Sequence, residues 1–136
     1  MLRAACVAVL ATVAVATIAC SGTASGAHGD GGTCTARSGN YVAHFVERPN
    51  GTCGSIPDAV VADAAPAGCQ GTRTPSADNC SLDIDLTCTT SAATTHETGT
   101  SHWAPDGLTG NATMTITTQA GGHTCTSTYD VTFTRA

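Results

Sequence analysis

Apolar and polar residues alternate along most of the second half of the chain. Leu82, Ile84, Leu86 and Cys88 fall on one side of a period-two pattern, and Asp83, Asp85 and Thr87 on the other. The same period sets Ala112, Met114 and Ile116 against Asn111, Thr113, Thr115 and Thr117. It also sets Cys125, Tyr129, Val131 and Phe133 against Thr124, Thr126, Thr128, Asp130, Thr132 and Thr134. A period of two is that of an extended strand with one face buried. The pattern predicts strands over Ser81 to Thr89, Asn111 to Thr118 and His123 to Thr134. Gly121-Gly122 predicts a hairpin between the last two. An earlier strand is expected from Asn40 to Glu47, where Tyr41, Ala43 and Phe45 share one face and Val42 and Val46 the other. Pro49-Asn50-Gly51 and Pro105-Asp106-Gly107 read as turns. Thr94 to Trp103 is polar and Thr-rich, and is expected as an edge strand.

The segment from Cys53 to Asn79 is less regular. Ile56-Pro57-Asp58 can start a short helix through Ala65, or Ala59 to Val61 can form a short edge strand. Ala65 to Asn79 is Pro, Gly, Ser and Thr, so a loop pinned by Cys69 and Cys80 is expected. These elements give an all-β fold: a small antiparallel meander of five or six strands, with a single curved sheet, a sandwich and a partly open barrel left open.

The first 19 residues carry a different signal. Arg3 is followed by an uncharged, Ala- and Val-rich run from Ala4 to Ala19. As a helix that run is about 24 Å long, shorter than a membrane span needs, and it has the layout of a secretory signal peptide. Its end, Thr17-Ile18-Ala19-Cys20, resembles the lipobox of bacterial lipoproteins, with Thr17 in place of the usual Leu. The resemblance implies cleavage before Cys20, a lipid on its sulfur, and Ser21 at the second mature position, which suits outer-membrane sorting. The competing reading is plain secretion or a periplasmic location, with cleavage after Ala27 in Ser25-Gly26-Ala27. Residues 20–32 are Gly-, Ser- and Ala-rich and read as a flexible tether, leaving residues 33–136 as the folded domain.

Removing the leader changes the composition. The whole chain of 136 residues has a formal charge of −5 and only 11% charged residues. From Cys20 onward it keeps ten acids, four arginines and no lysine, a net charge of −6. That charge repels phosphate and excludes nucleic acid as a partner. Seventeen apolar side chains other than Ala and Cys remain. At about 1.5–3 kcal/mol each they cannot offset the ordering entropy of the chain, so either much of the chain is disordered or covalent staples help.

Six cysteines supply them. With Cys6 lost in the leader and Cys20 lipidated or also lost, Cys34, Cys53, Cys69, Cys80, Cys88 and Cys125 remain, an even set in an exported chain. A Cys80–Cys88 bond is excluded, because a strand between them holds them about 26 Å apart. Cys88 and Cys125 both point to the apolar side of their strands, which favours a Cys88–Cys125 bond. Cys34–Cys53 and Cys69–Cys80 complete a sequential set. No C-x-x-C spacing suggests zinc, and no motif calls for a cofactor.

Motifs of catalysis fail on inspection. His96-Glu97 would need a second His where Thr100 stands. His96 and His102 share a strand face but lie about 20 Å apart. Ser101-His102 points to opposite faces, against a Ser/His pair. Asp83 and Asp85 are about 7 Å apart on one face, a spacing glycosidase carboxyls use, but they lie opposite the apolar side chains and read as a solvated face. Thr113, Thr115 and Thr117 beside Thr124, Thr126 and Thr128 predict a hydroxyl-rich face of the kind that binds carbohydrate or ice, or simply a Thr-filled exposed surface. Trp103 is expected in the core, or on a rim where it could stack on a sugar.

Six cysteines, Ser38-Gly39-Asn40-Tyr41, Trp103 before Asp106-Gly107 and the closing Tyr129 to Arg135 together resemble small Cys-rich lipoproteins of high-GC Gram-negative bacteria. That resemblance carries no activity with it. The expectation is a non-enzymatic, lipid-anchored envelope protein, structural or ligand-binding, whose contacts are the membrane and a glycan or envelope protein. The alternative is a secreted module that binds a glycan or another partner.

Overall fold

The computed structural model describes residues 33–136. The leader, Cys20 and the residue 20–32 segment lie outside the described residues. The domain is one antiparallel sheet of seven strands: β1 (Asn40–Glu47), β2 (Ala59–Ala62), β3 (Cys69–Pro75), β4 (Ser81–Thr89), β5 (Ala93–Trp103), β6 (Thr109–Ala120) and β7 (His123–Arg135). Their order across the sheet is β2-β1-β7-β6-β5-β4-β3. β3 through β7 form a meander, and β1 returns to pair with β7.

The connectivity forces the sheet to curl. Laid flat, seven strands span about 29 Å at 4.8 Å per strand. β2 and β3 are its two edges, yet they are consecutive in the chain. Even fully extended, the chain from Ala62 to Cys69 reaches at most about 25 Å. The sheet therefore closes toward a barrel with one seam, between β2 and β3, that carries no strand pairing. Side chains bridge the seam instead: Arg73 Nη1 on β3 donates to the Asp63 carbonyl at 2.9 Å, and Arg73 Nη2 approaches Asp63 Oδ1 at 3.4 Å.

The alternation predicted for β4, β6 and β7 is present and sets which residues face inward. Tyr41, Ala43, Leu82, Leu86, Ala112, Met114, Ile116, Cys125, Tyr129 and Val131 are buried on the inner side. Two inward serines, Ser101 and Ser127, are also buried. Both are satisfied: Ser101 accepts from Trp103 Nε1 at 3.0 Å, and Ser127 donates to Glu47 Oε1 at 2.5 Å. The hairpin at Gly121-Gly122 joins Ala120 to its partner His123, with φ of 56° and 78° at the two turn residues. Two successive positive φ values are those of the turn that matches strand twist in a two-residue hairpin.

Three expectations are corrected. There are seven strands, not five or six. The stretch expected as a loop contains β3, whose pairing with β4 runs from Cys69 opposite Cys88 to Pro75 opposite Leu82. It lacks an apolar alternation because it is an edge strand, in which Gly71 allows close approach to β4 and Arg73 bridges the seam. Thr94 to Trp103 is not an edge; it lies in β5, between β4 and β6. Small inward residues, Gly99 and Ser101, give β5 a polar reading although it is central. The short element after Ile56 is the strand alternative, β2, and not a helix.

All six cysteines are bonded, but not in the expected pairs. The bonds are Cys34–Cys80, Cys53–Cys125 and Cys69–Cys88. Cys88 and Cys125 do share a face, and even a row: Cys88 is opposite Thr95, Thr95 opposite Thr118, and Thr118 opposite Cys125. Two strands stand between them, which places them about 14 Å apart, beyond any disulfide. Each instead takes a partner on its outer side: Cys88 takes Cys69, its direct cross-strand neighbour, and Cys125 takes Cys53 from the segment after β1. Cys34 reaches Cys80 because Cys34 N donates to the Asp78 carbonyl at 2.8 Å, which ties the N-terminal segment to the start of β4. Cys34–Cys53 and Cys69–Cys80 do not form.

Candidate functional site

The curled sheet has two ends and two faces. One end is filled. Trp103 lies over the backbone of Gly110, its cross-strand neighbour, where a Cβ would meet the ring at 2.7 Å. The ring stacks on Phe133 at 5.1 Å and meets the edge of Tyr41 at 4.9 Å. The Arg37 guanidinium sits 5.3 Å from the ring centre and is held by Asp63. Tyr41 donates its hydroxyl to the Gly107 carbonyl at 2.8 Å. Trp103 is thus half-buried, packed against this chain's own side chains, and also lines an open cavity with His102, Thr109 and Asn111.

The outer face is a lattice of hydroxyls. Thr72, Asp85, Thr98, Thr115 and Thr128 form one continuous row across five strands, and Thr74, Asp83, Thr100, Thr113 and Asp130 form the next. The predicted β6–β7 ladder is present with Thr115 against Thr128 and Thr117 against Thr126, at 3.1 and 3.0 Å between hydroxyls. Thr113 stands opposite Asp130. Asp130 is held below the ordinary carboxylate range, chiefly by its hydrogen bonds from Arg48.

Asp83 and Asp85 lie on this outer face and not in a cavity. Asp83 accepts from Thr100 Oγ1 at 2.6 Å, and Asp85 is 2.9 Å from His96 Nε2. His102 is on the same face, three rows from His96, and in one row with His44 across the intervening β6 and β7. Ser101 points inward, away from His102. Among the described residues no group of three or more His, Cys, Asp and Glu is placed to hold a metal ion.

The inner face at the other end holds a group that sequence reasoning missed. Glu97 shares a row with Leu86 on β4, and with Ile116 and Ser127 beyond it on β6 and β7. Leu86, Ile116 and Ser127 are all buried, and Glu97 is half-buried among them. Loss of water around its carboxyl raises its pKa above the ordinary glutamate value. Its carboxyl makes no hydrogen bond or ion pair with any described residue. The next row toward the end of the sheet is Cys88, Thr95, Thr118 and Cys125, with Thr95 and Thr118 hydroxyls 3.3 Å apart. The Cys69–Cys88 and Cys53–Cys125 bonds therefore flank this end. The parity of β5 held the signal: Glu97 is in phase with Ser101 and Trp103, while His96 is in phase with the outer threonines.

The other inward carboxylate is satisfied. Glu47 accepts from Ser127 Oγ and from Gly54 N at 3.1 Å, and Cys53 N donates to Ser127 Oγ at 2.8 Å. Tyr129 donates to the Gly54 carbonyl at 2.7 Å. Burial raises the Tyr129 hydroxyl pKa, opposed by its hydrogen bond with Ser127 and aided by the Glu47 charge. The segment around Cys53 and Gly54 thus packs on the β7 side of the inner face.

No family model, no curated protein and no solved structure matches the chain.

Proposed function

We propose that this chain is an exported, lipid-anchored cell-envelope protein that presents a disulfide-braced half-barrel and acts by binding, not by catalysis. The observation that carries the reading is the state of the cysteines: all six of the described ones form disulfides. Such bonds persist in oxidising compartments and are consistent with export. They also separate the structural cysteines from Cys20, which follows Ala19 in the lipobox-like Thr17-Ile18-Ala19-Cys20. Several acyl chains at Cys20 would hold the domain at a membrane, the outer one by the Ser21 criterion. Metabolic labelling with palmitate tests this, with Cys20→Ser as control. Label on the wild type and none on the variant supports anchoring, and an unlabelled wild type refutes it.

The second reading is a secreted module, cleaved after Ala27, that binds a glycan or another envelope partner. The outer hydroxyl lattice favours it, since rows of Thr and Asp offer paired donors and acceptors to a polyol. Shifts in the Thr methyl resonances on titration with envelope polysaccharide test it. Thr115 and Thr128 should move, and a spectrum that does not change counts against the reading.

A further inference from the structure

We propose that the inner face around Glu97 is a binding site for a small organic cation carrying an apolar chain, with the cationic head on the Glu97 carboxylate. A carboxylate removed from water is costly unless it is paired. The four described arginines are committed or remote. Arg37 and Arg73 hold Asp63, and Arg48 holds Asp130 on the outer face. Arg135 lies opposite Tyr41, at the filled end. There is no lysine. Among the described residues no arginine is placed to pair with Glu97.

The surroundings fit the rest of such a ligand. Leu86 and Ile116 flank Glu97 in its row, and Ile84 and Met114 lie in the next row inward. Between those last two is Gly99, where a Cβ would meet Met114 Sδ at 2.7 Å, so Met114 fills the floor. Toward the end of the sheet, the Thr95 and Thr118 hydroxyls stand one row out, about 7 Å along the strands. They can accept N–H bonds from the head group. Glu97 is half-buried and not sealed from solvent.

A metal ion fits poorly. Calcium takes six to eight oxygen ligands, and the neighbours of Glu97 in its row are apolar. A monovalent ammonium needs one counter-charge and gains from the apolar walls. The mouth of a barrel with one polar group among apolar side chains is a common setting for such ligands.

The test is isothermal titration calorimetry of the mature, oxidised protein with octylammonium chloride, using sodium octyl sulfate as the anionic counterpart. The expected result is saturable octylammonium binding, no saturable octyl sulfate binding, and at least a tenfold loss in Glu97→Gln. A paired Asp83→Asn, Asp85→Asn variant, which neutralises outer-face acids, should keep wild-type affinity. Glu97→Gln removes a desolvated charge and should retain the wild-type circular dichroism. A second readout is independent of any variant: the Glu97 side-chain carboxyl ¹³C resonance should shift with the ligand. Equal affinity in wild type and Glu97→Gln, loss confined to the Asp83/Asp85 variant, saturable binding of octyl sulfate, absence of octylammonium binding, or an unmoved Glu97 resonance would each overturn the proposal.

Discussion

Arg73 on one edge of the sheet donates to the backbone carbonyl of Asp63, just past the end of the opposite edge strand, at 2.9 Å. The same Asp63 carboxylate also receives Arg37, whose side chain is buried against Trp103. Two arginines thus converge on one acid at the unpaired seam between β2 and β3. Arg73→Ala should lower stability by about 1–3 kcal/mol, the scale of a charge-assisted hydrogen bond lost in a partly buried setting. Lysine should recover only part of it, because an ammonium cannot reproduce the planar fork that serves both the carbonyl and the carboxylate. Urea unfolding measures the loss, and amide exchange should rise first in β2 and β3.

The disulfides are expected to dominate stability. In the chain-entropy model, closing 19 residues between Cys69 and Cys88 contributes about 3 kcal/mol, and closing 72 between Cys53 and Cys125 about 4 kcal/mol. With so few large apolar side chains, loss of all three bonds should unfold the domain. A melting temperature unchanged in strong reductant would contradict this. Peptide mapping without reduction should recover only Cys34–Cys80, Cys53–Cys125 and Cys69–Cys88.

Glu97 gives stability a distinct pH dependence. Its folded-state pKa is raised, because burial penalises the charged form. The folded state therefore binds its proton more tightly than the unfolded chain does. Stability should rise as pH falls through the raised Glu97 pKa, and level off below the ordinary glutamate range. Glu97→Gln should remove that rise. Asp78 and Asp130 act in the opposite sense: hydrogen bonds, mainly from Ser76 and Arg48, lower their pKa values. Both are fully exposed, so their loss on further acidification should be small and should begin only within the ordinary aspartate range and below. Chemical denaturation from neutral pH to about pH 3 resolves the two windows.

Two glycines should respond differently to alanine. At Gly71, φ is +133° and a Cβ would sit 2.0 Å from the Asp85 carbonyl oxygen. Backbone cannot yield as a side-chain tip can, so Gly71→Ala should cost about 3 kcal/mol or more and loosen β3 from β4. At Gly121 nothing lies within 4 Å, although φ is +56°. Gly121→Ala should cost only about 1–2 kcal/mol. Thermal unfolding of the two variants measures the difference.

The sequence revealed most where one face of a strand is buried and the other wet. Leu82, Ile84 and Leu86, or Tyr129, Val131 and Phe133, announce both strand and face through their polar neighbours. It revealed least at β3, where Gly71 and Arg73 occupy inward positions that normally hold apolar residues, and at β5, where Gly99 and Ser101 do the same. Parity placed Cys88 and Cys125 on one face correctly. What parity does not contain is the number of strands between two positions, and here β5 and β6 intervene. Glu97 was obscured by His96 beside it: the pair suggests a motif, whereas the fold sends the two side chains to opposite faces.

The central claim, an exported domain whose cysteines divide into one lipid anchor and three structural bonds, is tested most directly by the intact mass of the mature protein. The mass should be recorded without alkylation, after alkylation, and after reduction with alkylation. The expected chain begins at Cys20, carries the added mass of its acyl groups, takes up no alkylating agent while oxidised, and takes up six equivalents after reduction. An unacylated chain beginning at His28, or alkylation before reduction, would contradict it.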